Sequence, residues 1–342
     1  MGQLLSTPPR ESVLQLAVYA IGILTSLTIL SRALFFFSTY LKPSKLHRYL
    51  HETNGKPAWA LVTGATDGIG KQMVRELAAA GFNLALHGRN PAKLAAVRDE
   101  LAKDFPACQV RLVVADATAL ACSSCSSRDT ASQPAEAVNF DAIAAALADL
   151  NLTVLINNAG SGAVETPVYQ FLQDTAASKL ARTHNLNALF PMTLTSKLLP
   201  QLMRNAPCLV LNIGSLAETG MPMLPAYSPA KAYLSKGTQV LAREIEMQGR
   251  AHDVEVLMVR PGEVCGTAYN KNTPSLFEPA AKTMAKAILA RVGCGQVVVD
   301  GYLPHALQSV ALALTPAFVR EKALRDVMHT RWELDQKLVK ES

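Results

Sequence analysis

Thr63-Gly-Ala-Thr-Asp-Gly-Ile-Gly70 is the stretch on which the fold turns. A short apolar run, Ala58 to Val62, precedes it, and a helical pattern through Ala80 follows. Strand, glycine turn and helix in that order are the setting a dinucleotide fingerprint requires. Gly64 permits a sharp turn, Gly68 lets the backbone approach a pyrophosphate, and Gly70 lets helix and strand pack closely. The helix N-terminus then faces the phosphates. Thr63, Gly64, Thr66, Asp67, Gly68, Ile69 and Gly70 are therefore expected to line a bound dinucleotide.

Downstream, apolar runs and helical patterns alternate. Strands are expected at 82–87, 109–114, 152–156, 208–213, 254–259 and 296–299, and helices at 91–103, 140–150, 178–203, 227–248 and 280–292. Such alternation predicts an α/β fold of Rossmann type, a doubly wound parallel sheet. Ligands in these sheets bind beyond the carboxyl ends of the strands. Arg89 stands at the second strand end, where an acidic residue would select NAD. Its guanidinium suits a 2′-phosphate, so the expected cofactor is NADP (NADPH). Asp116 follows the third strand and either meets the adenine or caps the next helix. Asn158, Ala159 and Gly160 end the fourth strand and can leave room for a nicotinamide ribose. Ser215 follows the fifth strand, and Pro261, Gly262 and Val264 follow the sixth.

Tyr227 and Lys231 are four residues apart and share one helix face. A phenol titrates near ~10, and an ammonium beside it favours the phenolate. Such a tyrosine can pass a proton to a ketone oxygen. A solvated surface pair is the alternative, and the strand-end residues upstream weigh against it.

The chain has 342 residues, 49% hydrophobic, with a net charge of +6. Its basic excess contains no block interleaved with aromatics, so nucleic-acid binding is not expected. Cysteines lie at 108, 122, 125, 208, 265 and 294. Cys122 and Cys125 have no second pair or His cluster beside them, so no metal site is expected and the thiols read as reduced. The Ser- and Ala-rich stretch 119–139 reads as a surface loop.

Five segments are expected: a tail (1–12), a transmembrane anchor (13–41), a linker (42–57), the dinucleotide-binding domain (58–300) and a hydrophobic, helical C-terminal extension (301–342). Val13 to Ser31 carries no charge, enough to cross ~30 Å of hydrocarbon. Lys42, Lys45 and Arg48 lie just beyond and place the C-terminal bulk in the cytosol. A cleaved leader fits less well, because Arg10 and Glu11 balance the start and the apolar run is long. Met1-Gly2 begins a short myristoylation pattern. Tyr302 to Val319, broken by prolines, reads as a pocket cover or a membrane-lying segment.

Together these residues resemble the short-chain dehydrogenase/reductase superfamily over roughly Ala58 to Val299. Thr63 to Lys71, Gly81-Phe-Asn-Leu and Gly301-Tyr-Leu-Pro-His-Ala-Leu307 resemble its microsomal branch, which holds 17β-hydroxysteroid dehydrogenases and very-long-chain 3-oxoacyl-CoA reductases. The resemblance implies that Ser215 hydrogen-bonds the substrate carbonyl and Tyr227 donates the proton. Lys231 would lower the tyrosine pKa and hold the nicotinamide ribose. Asn185, chosen over Asn187 because Ala188 gives it Asn-x-x-small spacing, would anchor a water feeding Lys231. Ser215 lies one residue nearer Tyr227 than in the branch, and Gly266 stands where a threonine is usual, with Thr267 next.

The expected function is NADPH-dependent reduction of a lipophilic ketone, a long-chain 3-oxoacyl-CoA in fatty-acid elongation or a steroid-like ketone. The expected location is the endoplasmic reticulum membrane, single-pass. A homodimer formed on helices 178–203 and 227–248 is implied by the relatives. Two readings stay beside it: oxidation of a secondary alcohol, and a catalytically silent membrane scaffold. Intact Ser215, Tyr227 and Lys231 argue against the scaffold.

Overall fold

The computed structural model describes residues 10–120, 137–267 and 270–341. The Gly2 pattern and the Cys122–Cys125 pair lie outside the described residues. Two compact units emerge, Met1–Pro43 and Ser44–Ser342. Among the described residues the first holds one helix, α1 (Arg10–Leu41). Its segment Ser12–Leu41 has a mean hydropathy of 2.1 and is long and apolar enough to cross a membrane. Thirty residues at ~1.5 Å rise exceed the ~30 Å of a bilayer core.

The second unit is built on seven parallel strands: β1 (Ala58–Thr63), β2 (Asn83–Gly88), β3 (Val110–Val114), β4 (Asn151–Asn157), β5 (Cys208–Ile213), β6 (Val254–Arg260) and β7 (Val298–Asp300). Their spatial order is β3-β2-β1-β4-β5-β6-β7. The chain therefore reverses its direction of winding between β1 and β4, which opens a crevice at their carboxyl ends.

Successive side chains on a strand point to opposite faces, so two cores form. Ala58, Ala60 and Val62 of β1 join one core with Leu84, Leu86, Leu209, Leu211, Leu257 and Val259. Three helices cover that face: α2 (Gly68–Ala79), α3 (Pro91–Asp104) and α8 (Ala281–Leu289). Trp59 and Leu61 join the opposite core with Ala85, Leu155, Val210 and Val256. Its covering helices are α4 (Phe140–Leu147), α6 (Phe190–Arg204) and α7 (Tyr227–Met247).

Side-chain caps set three helix starts. Asp67 accepts from Gly68 N at 2.7 Å, Asn90 from Lys93 N at 3.0 Å, and Asn139 from Ala142 N at 2.9 Å. The helix expected over 178–203 is α5 (Ala177–His184), then a π-helical turn at Asn185–Leu189, then α6.

Two expected boundaries change. The stretch 42–57 is no linker from Ser44 onward, because it docks under the sheet. Tyr49 is 1% exposed, and its hydroxyl donates to Glu255 Oε2. Thr153 Oγ1 donates to Tyr49 O at 2.7 Å, and Asn151 Nδ2 to His51 O and Lys56 O. The C-terminal extension belongs to the same unit and forms α9 (Leu303–Leu314) and α10 (Ala317–Glu341), separated at Pro316.

Candidate active site

The glycine turn after β1 fits a dinucleotide. Gly64 has φ +66° and Gly68 φ +52°, a region glycine enters at no steric cost. A Cβ on Gly70 would lie 2.2 Å from Gly64 O, so the helix start sits against the turn. The Thr63 hydroxyl accepts from Asn158 N and Ala159 N, each at 2.9 Å. Asn158 Nδ2 donates to Thr63 O and Gly64 O. The ends of β1 and β4 are thus laced together below the phosphate-facing turn. Arg89, just past β2, is exposed. Asp116 Oδ1 accepts from Thr118 N and Oγ1, both at 3.0 Å.

On the nicotinamide side, a buried amide chain fixes the strand ends. Asn157 Nδ2 donates to Thr195 Oγ1 and Asn212 Oδ1, and Asn212 Nδ2 to Thr238 Oγ1. Above it, Lys231 is 3% exposed and its Nζ donates to Ile213 O at 2.8 Å. Lys231 Nζ lies 5.7 Å from the centre of the Tyr227 ring. Ser215 caps the turn Leu216–Thr219 through Ala217 N and hydrogen-bonds the Tyr227 side chain. The short Ser215–Tyr227 spacing therefore leaves the pair joined. The intervening loop bends through Met223, whose φ of +61° is strained for a residue with a Cβ.

Two expectations are corrected here. The first concerns the asparagine. Asn185 turns away and donates to Thr118 O at 3.1 Å. Asn187 is the one brought to the site: it is fully buried, accepts from Ser161 N and donates to Ser161 O and Thr183 O. Its Oδ1 and Lys231 Nζ lie 2.9 and 3.1 Å from where a Cβ on Gly160 would stand. The π-helical turn rotates this residue inward, out of step with the preceding α-helix.

The second concerns the phenol. Burial pushes the Tyr227 pKa up, while the Ser215 hydrogen bond opposes this. Burial lowers Lys231 to about 8, with Glu218 pulling the other way. In the protein alone, burial outweighs the Ser215 hydrogen bond, so the phenol sits above its ordinary value.

On the sixth strand end, Pro261 O accepts from Leu216 N at 3.0 Å, and Val264 is buried. Gly262 N donates to His305 Nδ1 at 3.0 Å, and His305 Nε2 lies 3.0 Å from Phe277 O. This fixes the neutral imidazole with its proton on Nε2. His305 is fully buried, and a Cβ on Gly262 would meet its ring at 3.1 Å. His305 lies within the Gly301–Leu307 motif, whereas Glu218 carries no sequence signal beyond its residue type. Thr267 rests against Gly68, its Cγ2 3.3 Å from the Cβ position, so the displaced threonine still reaches the glycine turn.

A narrow cavity beside Tyr227 is lined by Ala163, Val168, Gln170, Thr183 and Leu224. A groove of about 960 Å³ runs instead along Lys236, Gln239 and Arg243 of α7 and the β6–β7 edge. It holds none of the Ser215, Tyr227 and Lys231 chemistry. Among the described residues no cluster of His, Cys, Asp or Glu could hold a metal. Cys108, Cys208 and Cys265 take part in no disulfide among the described residues.

The sequence profile of the short chain dehydrogenases matches residues 58–275. The chain belongs to the short-chain dehydrogenase family. Among its relatives is a very-long-chain 3-oxoacyl-CoA reductase of Caenorhabditis elegans, 32% identical over 271 residues, covering 79% of each chain. A very-long-chain 3-oxoacyl-CoA reductase of Anas platyrhynchos is 30% identical over 265 residues and 77% of each chain. In structure it resembles a short-chain dehydrogenase from Sphingobium yanoikuyae in complex with NADPH. That likeness has a TM-score of 0.55 at 22% identity, over 76% of this chain and 97% of that one. The fold of this short-chain dehydrogenase is thus the Rossmann-type sheet expected from its glycine turn, and the protein is an oxidoreductase.

Proposed function

We propose that the protein is a membrane-anchored, NADPH-dependent reductase of a lipophilic ketone, foremost a long-chain 3-oxoacyl-CoA. The observation that carries this is the Tyr227 phenol hydrogen-bonded to Ser215, with Lys231 beneath its ring. The names of the two reductase relatives support the substrate class. NADPH, when bound, supplies a hydride to the carbonyl carbon. Gly64, Gly68 and the N-terminus of α2 would hold its pyrophosphate, and Arg89 its 2′-phosphate. Asn158, Ala159, Gly160 and Lys231 would face the nicotinamide ribose, beside Pro261 and Gly262.

Negative charge grows on the carbonyl oxygen during reduction. Ser215 stabilises it with a hydrogen bond that strengthens as the charge develops. Tyr227 hands over its phenolic proton, which yields the alcohol. Lys231 then offers an N–H to restore that proton, and Asn187 holds the backbone at Ser161 that frames the route.

The endoplasmic reticulum membrane is the proposed site, with α1 as the anchor and Lys42, Lys45 and Arg48 on the cytosolic side. A homodimer on α6 and α7 is part of this reading. Tyr233, Val240 and Met247 of α7 recur at seven-residue spacing and are 46%, 50% and 86% exposed. Val240→Glu would then shift sedimentation to the monomer.

The test follows NADPH absorbance with purified protein and a panel of 3-oxoacyl-CoAs and steroid ketones. Turnover of a long-chain 3-oxoacyl-CoA that disappears in Tyr227→Phe is the expected result. Turnover that survives Tyr227→Phe in a folded protein would overturn the mechanism.

A further inference from the structure

Helix α10 contacts two loops near the site, at Tyr169–Phe171 and at Glu263. Met328 on this helix is 2% exposed. Arg331 donates from Nη2 to Glu263 Oε2 and also hydrogen-bonds the Tyr169 side chain. Asp335 Oδ2 accepts from Tyr169 N at 2.9 Å. The Trp332 ring lies 5.9 Å from Phe171, tilted by 57°.

These partners come from two segments on different sides of Tyr227. Tyr169 and Phe171 belong to the loop that also supplies Ala163, Val168 and Gln170 to the cavity beside Tyr227. Gln170 N donates to Met223 O at 3.0 Å, so this loop also braces the strained turn before Tyr227. Glu263 directly follows Gly262 on the cofactor side and accepts from Asn270 Nδ2 at 3.1 Å.

One planar guanidinium serves both segments, which a lysine ammonium on a flexible stem does with far less geometric control. We propose that Arg331 is a positioning residue for the reaction: it clamps the substrate loop, through Tyr169, to the cofactor loop, through Glu263, and so fixes the cavity beside Tyr227. This rests on the ketone-reductase reading above. The C-terminal helix then acts on substrate binding without touching the reacting atoms.

The experiment uses the full chain in detergent, as wild type, Arg331→Ala, Arg331→Lys and Glu263→Gln. Steady-state kinetics with NADPH and a long-chain 3-oxoacyl-CoA are read beside hydrogen exchange across residues 161–175. Losing a hydrogen bond to a charged group corresponds to roughly ten- to a hundredfold. Arg331→Ala is therefore expected to raise KM for the ketone by that order. Its kcat is expected to stay within about threefold and its NADP⁺ affinity near wild type. Arg331→Lys recovers less than half of the KM effect on a logarithmic scale, and Glu263→Gln, which leaves Tyr169 clamped, falls between. Exchange in 161–175 accelerates in Arg331→Ala while that of the strands is unchanged. An Arg331→Ala protein with wild-type KM, or with exchange unchanged in 161–175, overturns the proposal. So does acceleration spread over the whole sheet, which marks a purely structural role. If wild type reduces no ketone in the panel, the reductase reading fails, and the exchange comparison alone decides the clamp.

Discussion

Asn187 and Lys231 meet across Gly160. The amide oxygen and the amine stand 2.9 and 3.1 Å from the point a Cβ on Gly160 would occupy. Gly160→Ala is therefore expected to push both polar groups apart. The same reasoning separates the two asparagines. Asn187→Leu breaks three hydrogen bonds that hold the backbone at Ser161 and Thr183, and kcat is expected to fall by about 10²-fold, the scale of a lost proton-handling group. Asn185→Leu loses one bond to Thr118 O, and kcat is expected within about threefold of wild type. Equal losses in both variants would return the role to the π-helical turn as a whole.

Tyr227→Phe keeps the ring and removes only the acid. Turnover is expected to fall by about 10²–10⁴-fold with cofactor binding preserved. Circular dichroism and NADPH fluorescence titration check fold and binding in the same sample.

Lys231 should trade stability against function. Its pKa falls to about 8 on burial, from 10.5. Below about 8 the folded and unfolded chains both carry the proton, and the folded state bears the full penalty of a buried charge. Between 8 and 10.5 the unfolded chain binds more protons, so stability contributed by this group rises with pH. Lys231→Met is expected to stabilise the cofactor-free protein at pH 7, by on the order of 3 kcal/mol before the lost Ile213 contact is counted, while abolishing turnover. The gain shrinks as pH rises through that window. Denaturant melts at pH 7 and pH 10 measure it, and a variant less stable than wild type at pH 7 contradicts the account.

Arg89→Ala is expected to weaken NADPH by roughly ten- to a hundredfold and NADH by much less, because a guanidinium–phosphate contact is charge-assisted. Titration of wild type and variant with both dinucleotides decides it. Equal affinity of the wild type for the two would remove Arg89 from the assignment.

The docked segment after Pro43 sets where the chain can be shortened. A protein beginning at Ser44 keeps Tyr49 under the sheet. One beginning at Ala58 loses a fully buried aromatic, worth about 3–5 kcal/mol, and its Tm is expected to drop by roughly 10 °C. Differential scanning calorimetry of the two chains, together with fractionation of the cells that express them, tests both the anchor and the docking. A Ser44 chain that stays wholly on membranes would move the anchoring role to α9 and α10.

The sheet was legible because each of its first six strands ends in its own punctuation: Gly64, Arg89, Asp116, Asn158 to Gly160, Ser215 and Gly262. Helical spacing likewise paired Tyr227 with Lys231. The choice between Asn185 and Asn187 was not legible, since a π-helical turn breaks the 3.6-residue period on which such a choice depends. His305 and Arg331 lie on helices whose partners are more than twenty residues away in sequence, at Phe277, Gly262 and Glu263. No local pattern encodes those contacts. The segment 44–57 has mixed composition and docks through single groups, chiefly the Tyr49 side chain and backbone carbonyls. The direction of the Tyr227 shift depended on burial, which the whole fold decides.

His305 gives the Pro-Gly turn a floor drawn from outside the sheet. Its lone pair holds Gly262 N, its N–H faces Phe277 O, and its ring fills the space over the glycine. A neutral imidazole presents donor and acceptor on opposite edges of one rigid plane, a combination no other side chain supplies at that size. Recombination between homologous reductases therefore has an awkward seam at Asp300. A hybrid that joins one parent's strands to another's tail inherits a turn and a floor that were never fitted together. Crossovers placed upstream of Pro261 keep the two halves of that joint in a single parental block.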